Sequence, residues 1–212
     1  MLQSFTVNRD KAKAVASSKY IVKTGAYEGV ISQASVRESQ SGATAIDLVF
    51  KSDEGALAFI QMWVLKKDGT RTFNHDIFDA LMVVCGLDSA PVMTGKVFDR
   101  NGQPHDGYRL PSLEKKRVGM FLQREQRFYI DQKDGMEKET YQMNLMTPFD
   151  LTTRKIAKEI IEGTEAKRLD DLIANTKDRP GKHITGSVQT GYSQADMAAT
   201  DSGFDNGSDI PF

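Results

Sequence analysis

The sequence predicts a mainly β protein: a small five-stranded β-barrel with one inserted helix, followed by a C-terminal helical extension and a disordered acidic tail. Three observations predict it. Between Tyr27 and Leu65, apolar residues recur at alternate positions in three runs separated by turn-forming clusters, the periodicity of half-buried strands. One run at helical spacing follows, and then a long hairpin pattern. Beyond Asp178 large apolar residues become sparse, and such a composition cannot bury enough surface to offset the entropy of ordering.

Taken in order, Asn8 can cap a short helix running to Ala16, although that stretch has too few large apolar residues to form a core. The first strand spans Tyr27 to Arg37, with Val30, Ala34 and Val36 on one parity and Tyr27, Ile31 and Arg37 on the other. Ser39-Gln40-Ser41-Gly42 turns the chain into a second strand, Ala43 to Lys51, with Ile46, Leu48 and Phe50 on one face. The third, Leu57 to Leu65, is apolar on both faces: Ala58, Ile60, Met62 and Val64 on one, and Leu57, Phe59, Trp63 and Leu65 around Gln61 on the other. Something must cover the second face, be it a helix, another chain or a ligand.

After the turn Lys66-Lys67-Asp68-Gly69, Asn74 caps a predicted helix from His75 to Cys85, stopped by Gly86. Asp88 to Pro111 is rich in Gly, Pro, Asn and Asp and predicts a long irregular connection. Strands resume at Val118 to Asp131, turn at Lys133-Asp134-Gly135 and return as Met136 to Met146, where Pro148 ends the section. Helical spacing reappears at Ile156, Ile160 and Ile161, breaks at Gly163-Thr164, and resumes at Leu169, Leu172 and Ile173 with Thr164 as the expected N-cap. The chain therefore divides into an N-terminal segment (1–19), a barrel (20–150), a helical extension (151–178) and a tail (179–212). Three antiparallel strands, a helix and a closing hairpin form the order expected of an oligonucleotide-binding (OB-fold) barrel, with other small barrels carrying a helix still compatible.

Composition narrows the chemistry. The chain has 212 residues, one cysteine, three histidines and a net charge of -1, which gives no disulfide framework and no CxxC zinc or redox site. No apolar run is long enough to cross a membrane, and MLQSFTVNRD lacks the layout of a secretory signal. A soluble, cytoplasmic protein without a membrane partner is expected. The charge is unevenly placed: residues 186–212 hold four aspartates and no Lys, Arg or Glu, leaving 28 basic against 25 acidic residues in the remainder. A basic body with an acidic tail suits a nucleic acid or another charged partner.

Glycine motifs that cradle phosphate, HExxH and GxSxG are absent from the sequence. His75-Asp76 and His105-Asp106 could be written into a metal-dependent nuclease, which would need Mg²⁺ to cleave single strands. Each pair is also explained locally, Asp76 by the helix dipole and His105-Asp106 by a polar loop. Cys85 is expected as a small buried hydrophobe rather than a nucleophile. The expectation is a protein that is not an enzyme and holds no cofactor or metal.

The fuller constellation interleaves aromatic and basic residues. Phe59 and Trp63 share the second face of the third strand, and Phe121, Arg124, Arg127 and Tyr129 lie on the hairpin arm behind Lys115, Lys116 and Arg117. Lys51, Lys66, Lys67 and Arg71 cluster at the ends of the second and third strands. Single-stranded nucleic acid needs flat side chains on which bases stack, worth ~1–3 kcal/mol per base, and cations that follow the phosphates. The alternative is that the aromatics are covered core and the cations solvated turns.

The last residues favour the first reading. Asp201 to Phe212 is an acidic, Gly-containing run that ends Asp209-Ile210-Pro211-Phe212. Phe212 can fill an apolar pocket while its carboxylate pairs with an arginine, and Asp205 and Asp209 can steer toward a basic rim. This end closely resembles the C-terminal tip of bacterial single-stranded DNA-binding proteins (SSB), with Asn206-Gly207-Ser208 where the bacterial tip has further aspartates. The body looks more like the divergent SSBs encoded by bacteriophages. The resemblance implies coating of single-stranded DNA in replication, recombination and repair, with recruitment of host or phage replication and recombination proteins through Asp205, Asp209, Ile210, Pro211 and Phe212. The rival expectation is an adaptor that binds an enzyme by the same tip and hardly touches DNA, with Phe59 and Trp63 buried. A homo-oligomer through the helical extension or the third strand is compatible with either.

Overall fold

The computed structural model describes residues 19–183 apart from Gln132. The expected N-terminal helix at Asn8 to Ala16 and the tail beyond residue 183 lie outside the described residues. Among the described residues, eight strands, all in one sheet, and three helices follow in the order β1 (Gly25–Glu38), β2 (Thr44–Ser52), β3 (Leu57–Leu65), α1 (Phe73–Val84), β4 (Met93–Phe98), β5 (Pro104–Arg109), β6 (Arg117–Ile130), β7 (Glu137–Phe149), α2 (Ala157–Glu162), α3 (Arg168–Asn175) and β8 (Arg179–His183). The protein is mainly β, and the β-strand pairings are antiparallel except for β6 with β8.

Strand β1 organises the sheet because it is long enough to serve three partners. Gly29 to Glu38 pair with β2, Gly25 to Val30 with β6, and Ser35 and Val36 with β5. β3 and β7 approach one another, and α1 packs against both. Among the described residues no ladder joins β3 to β7, so the sheet is not closed. The core fills the space inside the curl: Ile46, Leu48 and Phe50 of β2, Ala58, Ile60, Met62 and Val64 of β3, Val118, Met120 and Leu122 of β6, and Ile77, Leu81 and Met82 of α1.

Several expectations change on contact with the fold. In β1 the register slips between Ile31 and Gln33, leaving Ser32 as a bulge whose hydroxyl donates to the Val49 carbonyl at 2.9 Å. The bulge reverses parity, so Ile31 and Ala34 are both fully buried while Val30 is only half-buried. Helix α1 begins at Phe73 with Thr72 in the N-cap position, not Asn74. Thr72 is drawn into the sheet, its N–H donating to Val64 O at 3.1 Å and its hydroxyl to Trp63 O. The stop at Gly86 is as expected, with φ of 64°, a backbone that glycine adopts without strain.

The largest correction lies in the connection expected to be irregular, which contains the β4–β5 hairpin. Pro148 is also inside β7 rather than beyond it, paired with Met120 next to the chain's exit at Phe149. In the helical extension, Lys167 rather than Thr164 precedes α3. Strand β8 occupies the first residues of the expected tail, running parallel to β6. Helix α2 packs against α1, and α3 covers the outer side of β6 and β7 through a second small core of Phe121, Phe149 and Leu169. That contact requires Gly119: a Cβ there would lie 2.1 Å from the Phe149 ring.

Candidate nucleic-acid interface

The outer face of β1–β3 is an ordered grid set by the ladder. Across the three strands run the rows Gln33·Val49·Phe59, Ser35·Asp47·Gln61 and Arg37·Ala45·Trp63. The central column is Val49, Asp47 and Ala45, and Ala45 and its diagonal neighbour Ser35 on β1 are buried. Phe59 and Trp63 are half-buried. The guanidinium of Arg37 lies 5.4 Å from the Trp63 ring centroid, and that of Arg100, at the tip of the β4–β5 hairpin, lies 5.2 Å from the Phe59 ring. Tyr20 meets the other edge of Phe59 with ring centroids 6.1 Å apart.

Asp47 fixes this arrangement. Its carboxylate accepts from Arg37 Nε at 3.1 Å and from Gln61 Nε2 at 3.2 Å. Burial pushes its pKa up, and the charges of Arg37 and Arg100 with the hydrogen bonds from Arg37 and Gln61 pull it back without cancelling the rise. A third arginine–aromatic pair extends the band onto the β6–β7 arm, where Arg124 lies 5.4 Å from the Tyr141 ring. Burial and the Tyr20 hydroxyl push the Tyr141 phenol up, and the charges of Arg124 and Arg100 pull it part of the way back. Arg124 is itself held by Glu139 at 3.0 Å and Asp178 at 3.6 Å.

The cations expected from the sequence divide around this face. Lys51 is exposed one step along from Val49, in a row with Val30 and Arg117. Lys66 and Lys67 are exposed at the turn just past Trp63. These four border the aromatic rows, although Arg117 also pairs with Asp53 at 2.7 Å. Lys115 is exposed at a turn with φ of 65°. Lys116 points elsewhere, donating to the Cys85 carbonyl at 3.2 Å, where it neutralises the C-terminal end of α1. Arg71 is bound to Asp79 and to His75 Nδ1, 2.7 Å away, and so belongs to the α1 surface.

Phe121 is a correction. It is completely buried with Phe149 and Leu169 under α3 and presents no ring face on which a base could stack. Strand alternation puts Arg127 and Tyr129 on the side of β6 opposite Arg124, opposite Thr140 and Lys138 of β7. They do not join the aromatic band. The sequence reading missed Arg37, Arg100, Tyr20 and Tyr141. The bulge at Ser32 hid the first and the unforeseen hairpin hid the second. Tyr141 was accessible in principle, because an antiparallel arm places it opposite Gln126, one step from Arg124.

Cys85 is half-buried, and burial pushes its thiol up to about 11, so it remains protonated at neutral pH. His75 Nδ1 lies 3.4 Å from Asp79, while Asp106 pairs with Lys96 at 2.9 Å on the hairpin. Among the described residues no three His, Cys, Asp or Glu side chains converge as a metal site would require. Also among the described residues, no helix is long and apolar enough to cross a membrane. Asp205, Asp209, Ile210, Pro211 and Phe212 lie outside the described residues. The chain matches no protein-family model and no curated sequence.

Proposed function

We propose that this protein is a non-enzymatic single-stranded DNA-binding protein of the phage SSB type, cytoplasmic in its host, which stacks bases on the outer face of β2–β3 and recruits replication enzymes through its C-terminal tip. The observation that carries the reading is the band of three arginine–aromatic pairs, Arg37–Trp63, Arg100–Phe59 and Arg124–Tyr141. Ring faces supply sequence-tolerant stacking, and guanidinium groups beside them can follow the backbone. The strand order supports it. With β1 shared between β2 and β6, and α1 packed against both β3 and β7, the order of elements is compatible with an OB barrel carrying the β4–β5 hairpin as an insertion and α2, α3 and β8 as additions. In OB barrels the face of the second and third strands is where oligonucleotides bind.

The test uses Trp63, the protein's single tryptophan. Titration with oligo-dT is expected to quench its fluorescence, and added salt to reverse the quench. If Lys51, Lys66, Lys67 and Arg117 each meet a phosphate, log K should fall against log salt with a slope of about -3. Phe59→Ala should weaken binding roughly tenfold or more, the loss of one stacked base. A flat titration together with no gel shift would overturn the reading and leave the adaptor, which binds through the tip alone.

A further inference from the structure

The β4–β5 hairpin crosses the β1–β3 face. Its root is firmly built: Leu110 N–H donates to Ala34 O at 2.9 Å, Arg109 Nε to Glu114 at 3.0 Å, and Leu110 and Leu113 are buried. Its middle is slender, with Gly95 opposite Gly107. Its tip is held differently, by the side chain of Gln33, whose Nε2 donates to Phe98 O at 3.0 Å and whose Oε1 accepts from Phe98 N–H at 2.8 Å. Beyond that latch the Arg100 guanidinium rests on Phe59. Each of these tip contacts is worth only about 1 kcal/mol. A solid root and a lightly held tip make a part that can open without unfolding.

We propose that this hairpin is the second jaw of the binding site: a nucleobase enters between the Phe59 ring and the Arg100 guanidinium, and the Gln33 latch opens to admit it. The inference rests on the single-strand-binding reading above and adds to it the element that closes over the strand. A base sandwiched there requires about 7 Å from ring to guanidinium, two stacking distances of ~3.4 Å, against the 5.2 Å now present. The tip must therefore lift, and Gln33–Phe98 is the connection that resists. Once the base is in, Arg100 meets a π-face again and its charge lies near the adjoining phosphate. In the flanking pairs Arg37 and Arg124 are held by the carboxylates of Asp47 and Glu139, and the charge of Arg100 also acts on Asp47.

Hydrogen exchange on the wild-type chain tests the jaw directly. Addition of oligo-dT should speed exchange at Phe98, whose N–H loses its Gln33 acceptor, and stopped-flow Trp63 quenching should show Gln33→Ala accelerating association about tenfold with dissociation little changed. Arg100→Ala should accelerate dissociation by a similar factor. If Trp63 is quenched while hairpin exchange and both variants' rates stay unchanged, the jaw is wrong and the β2–β3 site stands. If oligo-dT neither quenches Trp63 nor shifts in a gel, the site reading itself falls and the jaw with it.

Discussion

Glu159 has 6% of its surface exposed, yet it holds two helices in place. One oxygen accepts from Lys167 N–H at 2.9 Å and Arg168 N–H at 2.8 Å, at the start of α3; the other accepts from Ile156 N–H at 3.0 Å, at the start of α2. These are donors that helix termini leave without partners. Burial raises the carboxyl's pKa, but the three N–H groups and nearby Lys155 outweigh it, so the net shift is below the ordinary 4.5. Hydrogen bonds to a charged group contribute roughly 1.5–3 kcal/mol each and are not additive, so Glu159→Ala should destabilise by about 2–4 kcal/mol, read from urea midpoints. Because the folded pKa is depressed, the carboxylate's contribution is complete above the ordinary value and disappears as pH falls through the folded one. The gap between wild type and Glu159→Gln should therefore narrow below pH ~4.5; a gap constant with pH would show that its charge is not involved. The sequence contained Glu159 in plain view, three residues after Ile156, but a Glu following an isoleucine lacks the Ser/Thr partner that marks a capping box.

At the scale of elements, legibility followed hydrophobic period. β3 was found at both ends because every other residue from Ala58 to Val64 is apolar and buried. β4 and β5 were missed because Pro104, Gly95 and Gly107 interrupt any alternation, and only Val97 of the two strands is buried. What stabilises them is tertiary: a short ladder to β1 and the Gln33 latch, neither of which leaves a local pattern. The face of β3 opposite the core signalled that a cover was needed, and the cover includes this hairpin. The expected extension contains helices at Ala157–Glu162 and Arg168–Asn175, but of the apolar residues that suggested them Leu169 is buried while Ile160, Ile161 and Ile173 are exposed, and its target, Phe121, was expected to stack bases. The docking of that element is testable. Leu169 is 2% exposed against Phe121 and Phe149, and Leu169→Ala should cost about 2–4 kcal/mol. Because the contact is confined to the second core, exchange should rise first in α2, α3 and β8, leaving β1–β3 protected. Uniform loss of protection would mean that the extension and the sheet unfold as one unit.

At the scale of the whole molecule, charge and connection can be considered together. Residues 1–185 carry 28 basic against 25 acidic groups, and residues 186–212 carry only aspartates. β8 delivers the chain to His183 alongside Phe128 of β6, on the arm that also carries Arg124 and Tyr141. The aspartates belong to the same chain as the Lys51, Lys66 and Lys67 border, and a tethered group acts at an effective concentration that a free peptide would need millimolar levels to match. On the proposed reading they are expected to compete with phosphates for the same cations, a competition that salt would screen over ~10 Å at 0.1 M. Removing residues 201–212 should accordingly tighten oligo-dT binding severalfold at low salt, with the advantage gone by roughly 0.3 M as screening removes the competitor's attraction. Replacing Asp201, Asp205 and Asp209 by Asn should reproduce the effect, since it depends on charge and not on Ile210-Pro211-Phe212. Equal affinity of the truncated and full-length chains at low salt would show that the tail does not occupy the groove, and an effect that persisted at high salt would make the contact apolar instead.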